Sequence, residues 1–191
     1  MTVLENTFIG LVKLGIGTSN KVNIPPNTEW NALMELSWQQ GLSAVVLDGI
    51  SKLKEKEHPP KILLLQWIGR IIQTYENRHA LYREAIRSLA EFYNAHGFKM
   101  MVLKGYGCSL DWPKPEHRPC GDIDIWQFGK YKEADALLSK EKSIEIDFSH
   151  HHHTVFNWGG FMIENHYDFI DVHHRKSSPK LEAVLKKTRF G

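Results

Sequence analysis

In the first half of the chain, hydrophobic residues recur at intervals of three or four, the spacing that places side chains on one face of an α-helix. The longest such run extends from Ile62 to Tyr93 and stops before Gly97, a residue type that often follows the end of a helix. Shorter helices are predicted over residues 1–16, after Thr28 and after Ser43. Residues 1–96 are therefore predicted to form a helical N-terminal region.

After Gly97 the spacing changes to two, which is typical of β-strands with one buried face. Strands are predicted over residues 98–103, 122–127, 143–148, 151–156 and 161–167, and helices over residues 131–140 and from Ser178 onward. The last two strands are expected to form a hairpin. The predicted fold class is α+β, with N-terminal helices packed on a small mixed sheet, and residues 97–191 form the α/β core.

Composition excludes several classes of protein. The 191 residues include 24 Lys and Arg and 22 Asp and Glu, a net charge of +2, which does not support general nucleic-acid binding. No apolar run reaches the roughly 18–20 residues of a membrane span, so no membrane partner is expected. The first residues lack a basic leader, and two cysteines, Cys108 and Cys120, lack metal-type spacing. These features predict a cytoplasmic protein.

The segment Gly121–Ile125 (GDIDI) carries the sharpest chemical signal. Residues two apart in a strand share a face, so Asp122 and Asp124 project together while the isoleucines enter the core. Two carboxylates on one face repel each other unless something compensates them. Mg²⁺ does so well, because it prefers oxygen ligands and is commonly held by one or two carboxylates together with substrate phosphates.

Three further segments strengthen this prediction. Lys104-Gly105 follows a buried strand, where backbone N–H groups and an ammonium can face an anion. Arg118 can reach phosphate oxygens bidentately. Glu164 and His166 share one face of the strand predicted over residues 161–167. Together these residues predict a site for a metal ion and a triphosphate.

The same residues resemble a known family. Lys104-Gly105, the Trp112–Arg118 loop (WPKPEHR), Asp122-Ile123-Asp124 and Glu164-Asn165-His166 occur in the order seen in the uncharacterised bacterial nucleotidyltransferase family of the DNA polymerase β-like superfamily. The resemblance implies a nucleotidyltransferase with a mixed sheet and flanking helices. It also implies that the C-terminal helical half usual in the superfamily is missing after residue 191.

The resemblance further implies the roles of the site residues. Asp122, Asp124 and Glu164 would be catalytic and would bind Mg²⁺ or Mn²⁺, with two ions expected. Lys104, Gly105 and Arg118 would bind the nucleoside triphosphate. The acceptor hydroxyl would belong to a small molecule, a protein or RNA. A catalytically inactive nucleotide- or protein-binding module is the alternative function.

Four consecutive histidines, His150–His153, are also conspicuous. In a strand, His151 and His153 would share one face, and they could lie with His166 at the edge of the active site. They could instead bind a transition metal, as in a metal-dependent hydrolase.

The strand pattern makes one sharp geometric prediction. Glu164 should come close enough to Asp122 and Asp124 to share a cation, with Ile163 buried on the opposite face. Mutual repulsion should then raise the pKa of at least one of the three carboxyl groups.

Overall fold

The computed structural model describes residues 1–170, 172 and 175–187. Internal contacts divide the chain into two compact units. The first unit comprises Met1–Leu81 and Cys108–Cys120, and the second comprises Tyr82–Gly107 and Gly121–Gly191. The division at residue 96 stays a prediction from the sequence. His173-His174, for which the sequence predicts a solvated loop, lies outside the described residues.

Helices make up the first unit. They are α1 (Val3–Gly15), α2 (Trp30–Gln39), α3 (Ser43–Ile50) and α4 (Lys61–Ile71). Helix α1 begins with a capping box, in which the Thr2 hydroxyl accepts from the Glu5 amide and the Glu5 carboxylate accepts from the Thr2 amide. Ser43 is the first residue of α3, and its hydroxyl accepts a 2.7 Å hydrogen bond from the indole of Trp67.

The core of the first unit lies where α1 and α3 meet and where α2 and α4 cover them. Its fully buried side chains include Leu11, Leu33, Val46, Ile50, Trp67 and Ile71. Glycines allow the close approach of α1 and α3. A Cβ atom added at Gly15 would lie 2.2 Å from the carbonyl oxygen of Val45, and one added at Gly49 would lie 2.2 Å from that of Leu11.

The long helix predicted from Ile62 is interrupted by a π-helical segment, Ile72–Glu76, before it continues as α5 (Asn77–Ala95). Gly97 follows with φ of +77°, as its position after the helix predicts. The buried face differs from the predicted one, however. Ile62 and Leu65 are exposed, because Trp67 and Ile71 face the core of the first unit instead.

The second unit contains a mixed sheet, four-stranded within the described residues. Its strands are β1 (Met101–Val102), β2 (Ile123–Trp126), β3 (His153–Trp158) and β4 (Phe161–His166), in the order β1-β2-β4-β3. β2 and β4 are parallel, whereas β1 with β2 and β3 with β4 are antiparallel. The predicted α+β class with a mixed sheet is therefore confirmed.

Strand alternation separates the two faces of the sheet. One face carries Ile123, Ile125, Phe156 and Ile163, which are at most 2% exposed. The other face carries Asp124, His153, Glu164 and His166, as the pairing of the strands requires. The sheet thus presents a polar face on which the candidate site lies.

Two predictions about local structure are wrong. Residues 143–148 form no strand, because only Asp147 pairs, through an isolated bridge with Val155. The glycines in residues 104–107 predict a turn, but Lys104–Ser109 forms the short helix α6. The remaining helices are α7 (Tyr131–Lys142) and α8 (Ser178–Lys187).

The hairpin between β3 and β4 turns at Gly159-Gly160, both with positive φ. Among the described residues, no helix combines the length and the apolar character needed to cross a membrane.

Candidate active site

Two acidic residues meet on the polar face because β2 and β4 run parallel in register. Asp124 pairs directly with Glu164, so their side chains leave the sheet side by side. His166 lies two residues further along β4 on the same face. One ligand atom from each of Asp124, Glu164 and His166 lies within 4.8 Å of the others. The structure therefore confirms the expected proximity of Glu164 and Asp124 and the burial of Ile163 on the opposite face.

His166 directs one ring nitrogen toward a backbone carbonyl and the other toward the two carboxylates. Its Nδ1 lies 3.3 Å from the backbone carbonyl oxygen of Asp168, and a carbonyl only accepts, so Nδ1 carries a proton. Nε2 donates to a carboxylate when it also carries a proton, and it presents a lone pair to a cation when it does not. That atom lies 2.9 Å from Asp124 Oδ1 and 3.2 Å from Glu164 Oε2. With Nε2 unprotonated, three acceptor atoms converge on one point, an arrangement that a cation stabilises and that fits a metal ion.

Lys104 supplies positive charge at this point. Its ammonium donates to Asp124 Oδ1 at 2.8 Å and lies 3.2 Å from His166 Nε2. A backbone hydrogen bond keeps the chain at Lys104 close to Asp124, because the amide of the preceding residue, Leu103, donates to the carbonyl oxygen of Asp124 at 2.8 Å. The lysine side chain is 53% exposed, whereas that of Asp124 is 5% exposed. The ammonium can therefore move toward solvent or a ligand while Asp124 stays fixed.

The two carboxyl groups have opposite pKa shifts. Burial alone would raise the pKa of Asp124, but the hydrogen bonds from His166 and Lys104 outweigh it and lower that pKa. Burial raises the pKa of Glu164, and the charges of Asp122 and Asp124 raise it further. The expectation that repulsion raises the pKa of one carboxyl group is therefore met at Glu164, although burial is the larger cause.

Two more histidines lie beside this cluster. His153 pairs with His166 across β3 and β4, and its Nε2 lies 3.7 Å from Glu164 Oε1. Burial lowers its pKa to about 4, helped by the charges of the neighbouring imidazoles and Lys104. His152 precedes the strand and also reaches His153 and His166, with one nitrogen of each ring within 4.8 Å of the others.

Asn165, the polar residue after Glu164, lies on the opposite face of the sheet and has a hydrogen-bonding role there. Asn165 points into the core, where its amide donates to Asp135 Oδ1 at 2.9 Å. The hydroxyl of Thr154 donates to Asp135 Oδ2 at 2.8 Å. Burial raises the pKa of Asp135, and these two hydrogen bonds oppose the rise. The three side chains tie α7 to β3 and β4 directly behind the candidate site.

The other residues predicted for the site lie in several places. Asp122 precedes β2 and is half-buried; it is not in the 4.8 Å group, although its charge acts on Glu164. Gly105 is in the first turn of α6. Arg118 belongs to the first unit, where its guanidinium lies 5.9 Å from the centre of the Trp112 ring. His151 is exposed, because the chain bends before β3 and strand alternation does not extend to it.

Sequence reasoning did not predict the convergence of His152 with His153 and His166. Strand alternation would put His152 on the opposite face from His153, but that rule holds only inside a strand, and His152 precedes β3. The four consecutive histidines were the signal that was available. The pairing of Asn165 with Asp135 had no signal in the spacing of residues.

A polar cluster of carboxylates, lysine and histidine on a mixed sheet is consistent with an enzyme that handles phosphate esters with a metal ion. A family model described as an uncharacterised nucleotidyltransferase matches residues 26–190. The chain therefore belongs to this nucleotidyltransferase family, as the resemblance of its motifs indicates. Comparison with curated proteins and with solved structures gives no significant match.

Proposed function

We propose that the chain transfers a nucleoside monophosphate from a nucleoside triphosphate to an acceptor hydroxyl, on the polar face of its sheet. Membership of the nucleotidyltransferase family supports the reaction class. The observation that carries the assignment of the site is the register that places Glu164 beside Asp124, with His166 next to both. Nucleotidyltransferases generally use divalent metals, and this cluster offers oxygen and nitrogen ligands to one.

In the proposed reaction, the acceptor oxygen attacks the α-phosphorus and the bond from that phosphorus to the bridging oxygen of the β-phosphate breaks. Pyrophosphate leaves, and the hydroxyl proton passes to water or to a nearby carboxylate. Bound Mg²⁺ or Mn²⁺ ions would supply charge stabilisation for the attacking and leaving oxygens. Asp122, Asp124 and Glu164 would hold the ions and fix their position.

Lys104 has a second task in this proposal. Its ammonium neutralises Asp124 before substrate binds, at an Nζ–Oδ1 distance of 2.8 Å. With a metal ion bound to Asp124, the half-exposed side chain of Lys104 would be free to turn to the triphosphate, where its ammonium would stabilise the negative charge that develops on the phosphate oxygens. Gly105 and Arg118 are proposed as further nucleotide-binding residues.

The acceptor is proposed to be a small molecule, a protein or RNA. Among the described residues, Cys108 and Cys120 are in no disulfide, which fits a reducing compartment. We propose that the reaction takes place in the cytoplasm.

The test is transfer of label from α-labelled ATP, GTP, CTP and UTP to panels of small molecules, proteins and RNA. Metal-dependent transfer with pyrophosphate release is expected. Asp124→Asn and Glu164→Gln should each lower the rate by at least about a hundredfold, since electrostatic stabilisation of this kind commonly contributes that much. Glu145→Gln is the matched control, because Glu145 is exposed. Equal rates for Glu164→Gln and the control would contradict the site.

One observation favours the alternative, a module that binds a nucleotide or a protein without turnover. The chain's own lysine already compensates Asp124, so the carboxylate has a partner without a metal ion. In that case nucleotide binding would be measurable by calorimetry, and no nucleotide or acceptor would yield pyrophosphate. Pyrophosphate release that disappears in Asp124→Asn would exclude the inactive module.

A further inference from the structure

Imidazoles surround the carboxylates of the candidate site, and they bear on which metal it selects. His153 and His166 are partners across β3 and β4, so both project from the face that carries Asp124 and Glu164. We propose that Asp124, Glu164, His166 and His153 together form a site that selects a transition-metal ion such as Mn²⁺ or Zn²⁺ over Mg²⁺. The inference rests on the proposed function only in taking the two carboxylates as cation ligands.

The distances between the ligand atoms bring Asp124, Glu164 and His166 to one point and place His153 at its edge. Two atoms that bind the same ion at about 2.1 Å lie no more than about 4.2 Å apart. Nε2 of His166 lies 2.9 Å from Asp124 Oδ1 and 3.2 Å from Glu164 Oε2. Nε2 of His153 lies 3.7 Å from Glu164 Oε1. All three separations fall below the limit, but His153 faces Oε1 of Glu164 and His166 faces Oε2. His153 therefore joins the group formed by Asp124, Glu164 and His166 once the Glu164 carboxylate or the His153 ring rotates.

His153 is the residue whose position a purely structural role does not explain. It is 6% exposed, and neither of its ring nitrogens has a hydrogen-bond partner among the described residues. A buried polar atom without a partner destabilises the folded protein, because it loses its hydrogen bonds to water. Coordination of a metal ion through Nε2 would provide the missing interaction.

The donor set determines the selectivity. Imidazole nitrogen suits Zn²⁺ and the other later first-row transition ions, whereas Mg²⁺ prefers carboxylate, phosphate and water oxygens. Mn²⁺ shares the oxygen preference of Mg²⁺ but, as a transition ion, accepts an imidazole ligand more readily. The Nδ1 proton of His166, held by the carbonyl of Asp168, leaves Nε2 as the ligand atom. His152 adds a third imidazole at the edge of the site.

The first experiment titrates metal-free protein with Mn²⁺ in the absence of nucleotide and follows the paramagnetic resonance signal of free Mn²⁺. Competition with Mg²⁺ should show that Mn²⁺ binds at least about tenfold more tightly. His153→Gln should weaken Mn²⁺ binding by about tenfold or more, and Mg²⁺ binding by less than about threefold. His96→Gln, at an exposed histidine, is the matched control and should change neither. Equal affinities of the wild type for the two ions, or unchanged Mn²⁺ affinity in His153→Gln, would overturn the proposal.

A second measurement uses the wild type alone and does not depend on the folding of a variant. Pulsed paramagnetic resonance of the Mn²⁺-bound protein should show couplings from coordinated imidazole nitrogen. Their absence would overturn the proposal even if the protein transfers nucleotides with Mg²⁺. Their presence in a protein that transfers no nucleotide would instead refute the proposed function and leave this inference intact.

Discussion

Replacing Lys104 by methionine should change metal binding and nucleotide binding in opposite directions. The ammonium of Lys104 lies 2.8 Å from Asp124 Oδ1 and competes with any metal ion for that carboxylate. The same ammonium is proposed to bind the triphosphate once a metal ion has displaced it. Methionine keeps much of the length of the side chain and removes the charge.

The magnitude follows from the exposure of the pair. The lysine side chain is 53% exposed, so solvent screens the interaction and leaves about 1 kcal/mol. Since 1.4 kcal/mol corresponds to a factor of ten, Lys104→Met should bind Mn²⁺ about fivefold more tightly. A lost hydrogen bond to a charged group costs about 1.5–3 kcal/mol, so binding of a nucleoside triphosphate should weaken by about tenfold or more.

Both affinities can be measured without turnover. Free Mn²⁺ is followed by paramagnetic resonance, and binding of a non-hydrolysable ATP analogue is followed by calorimetry at saturating metal. Lys99→Met is the matched control, because Lys99 is an exposed lysine of the same unit. The reasoning is refuted if Lys104→Met weakens metal binding, or if its nucleotide affinity equals that of the control.

Three further predictions concern stability, each measured as the free energy of unfolding in urea. Gly49→Ala should destabilise the protein by about 1–3 kcal/mol, because its Cβ would meet the carbonyl oxygen of Leu11. Gly69→Ala should instead stabilise α4 by about 0.5–1 kcal/mol, because a Cβ atom at Gly69 would have no other atom within 4 Å. Similar effects of the two substitutions would contradict the close contact between α1 and α3. Asp135→Ala should lower the free energy of unfolding by about 2–3 kcal/mol, because it leaves the buried donors of Thr154 and Asn165 without an acceptor. Asp135→Asn should lower it clearly less, and equal losses in the two variants would argue against the hydrogen-bond network. Burial lowers the pKa of His117, but its hydrogen bond to Asp48 outweighs this and raises the pKa above 6.5. The stabilisation by protonated His117 is therefore complete below the unfolded-state pKa of about 6.5 and is lost as the pH rises through the higher folded-state pKa. The stability difference between wild type and His117→Gln should shrink as the pH rises above about 6.5, and a constant difference would refute the assignment.

Local patterns were sufficient to predict the elements that form the site. Alternation in Gly121–Ile125 fixes the direction of Asp124, and alternation in β4 does the same for Glu164 and His166. These predictions needed only the period of a strand, because a side chain's face depends on its immediate neighbours in the chain. Where the chain leaves regular structure, the same rule failed, as it did for His152 and for residues 143–148.

The sequence by itself therefore determined the fold class, the family and which faces the acidic residues occupy. Only the tertiary structure decided which residues from distant segments meet. The parallel register of β2 and β4 placed Glu164 beside Asp124, since a shift by one residue would have presented Asn165 instead. The pairing of β1 with β2 brought Lys104 to Asp124, and the pairing of β3 with β4 brought His153 beside Glu164. Strand register and the path of a bend depend on packing between segments far apart in the chain, and no local periodicity contains that information.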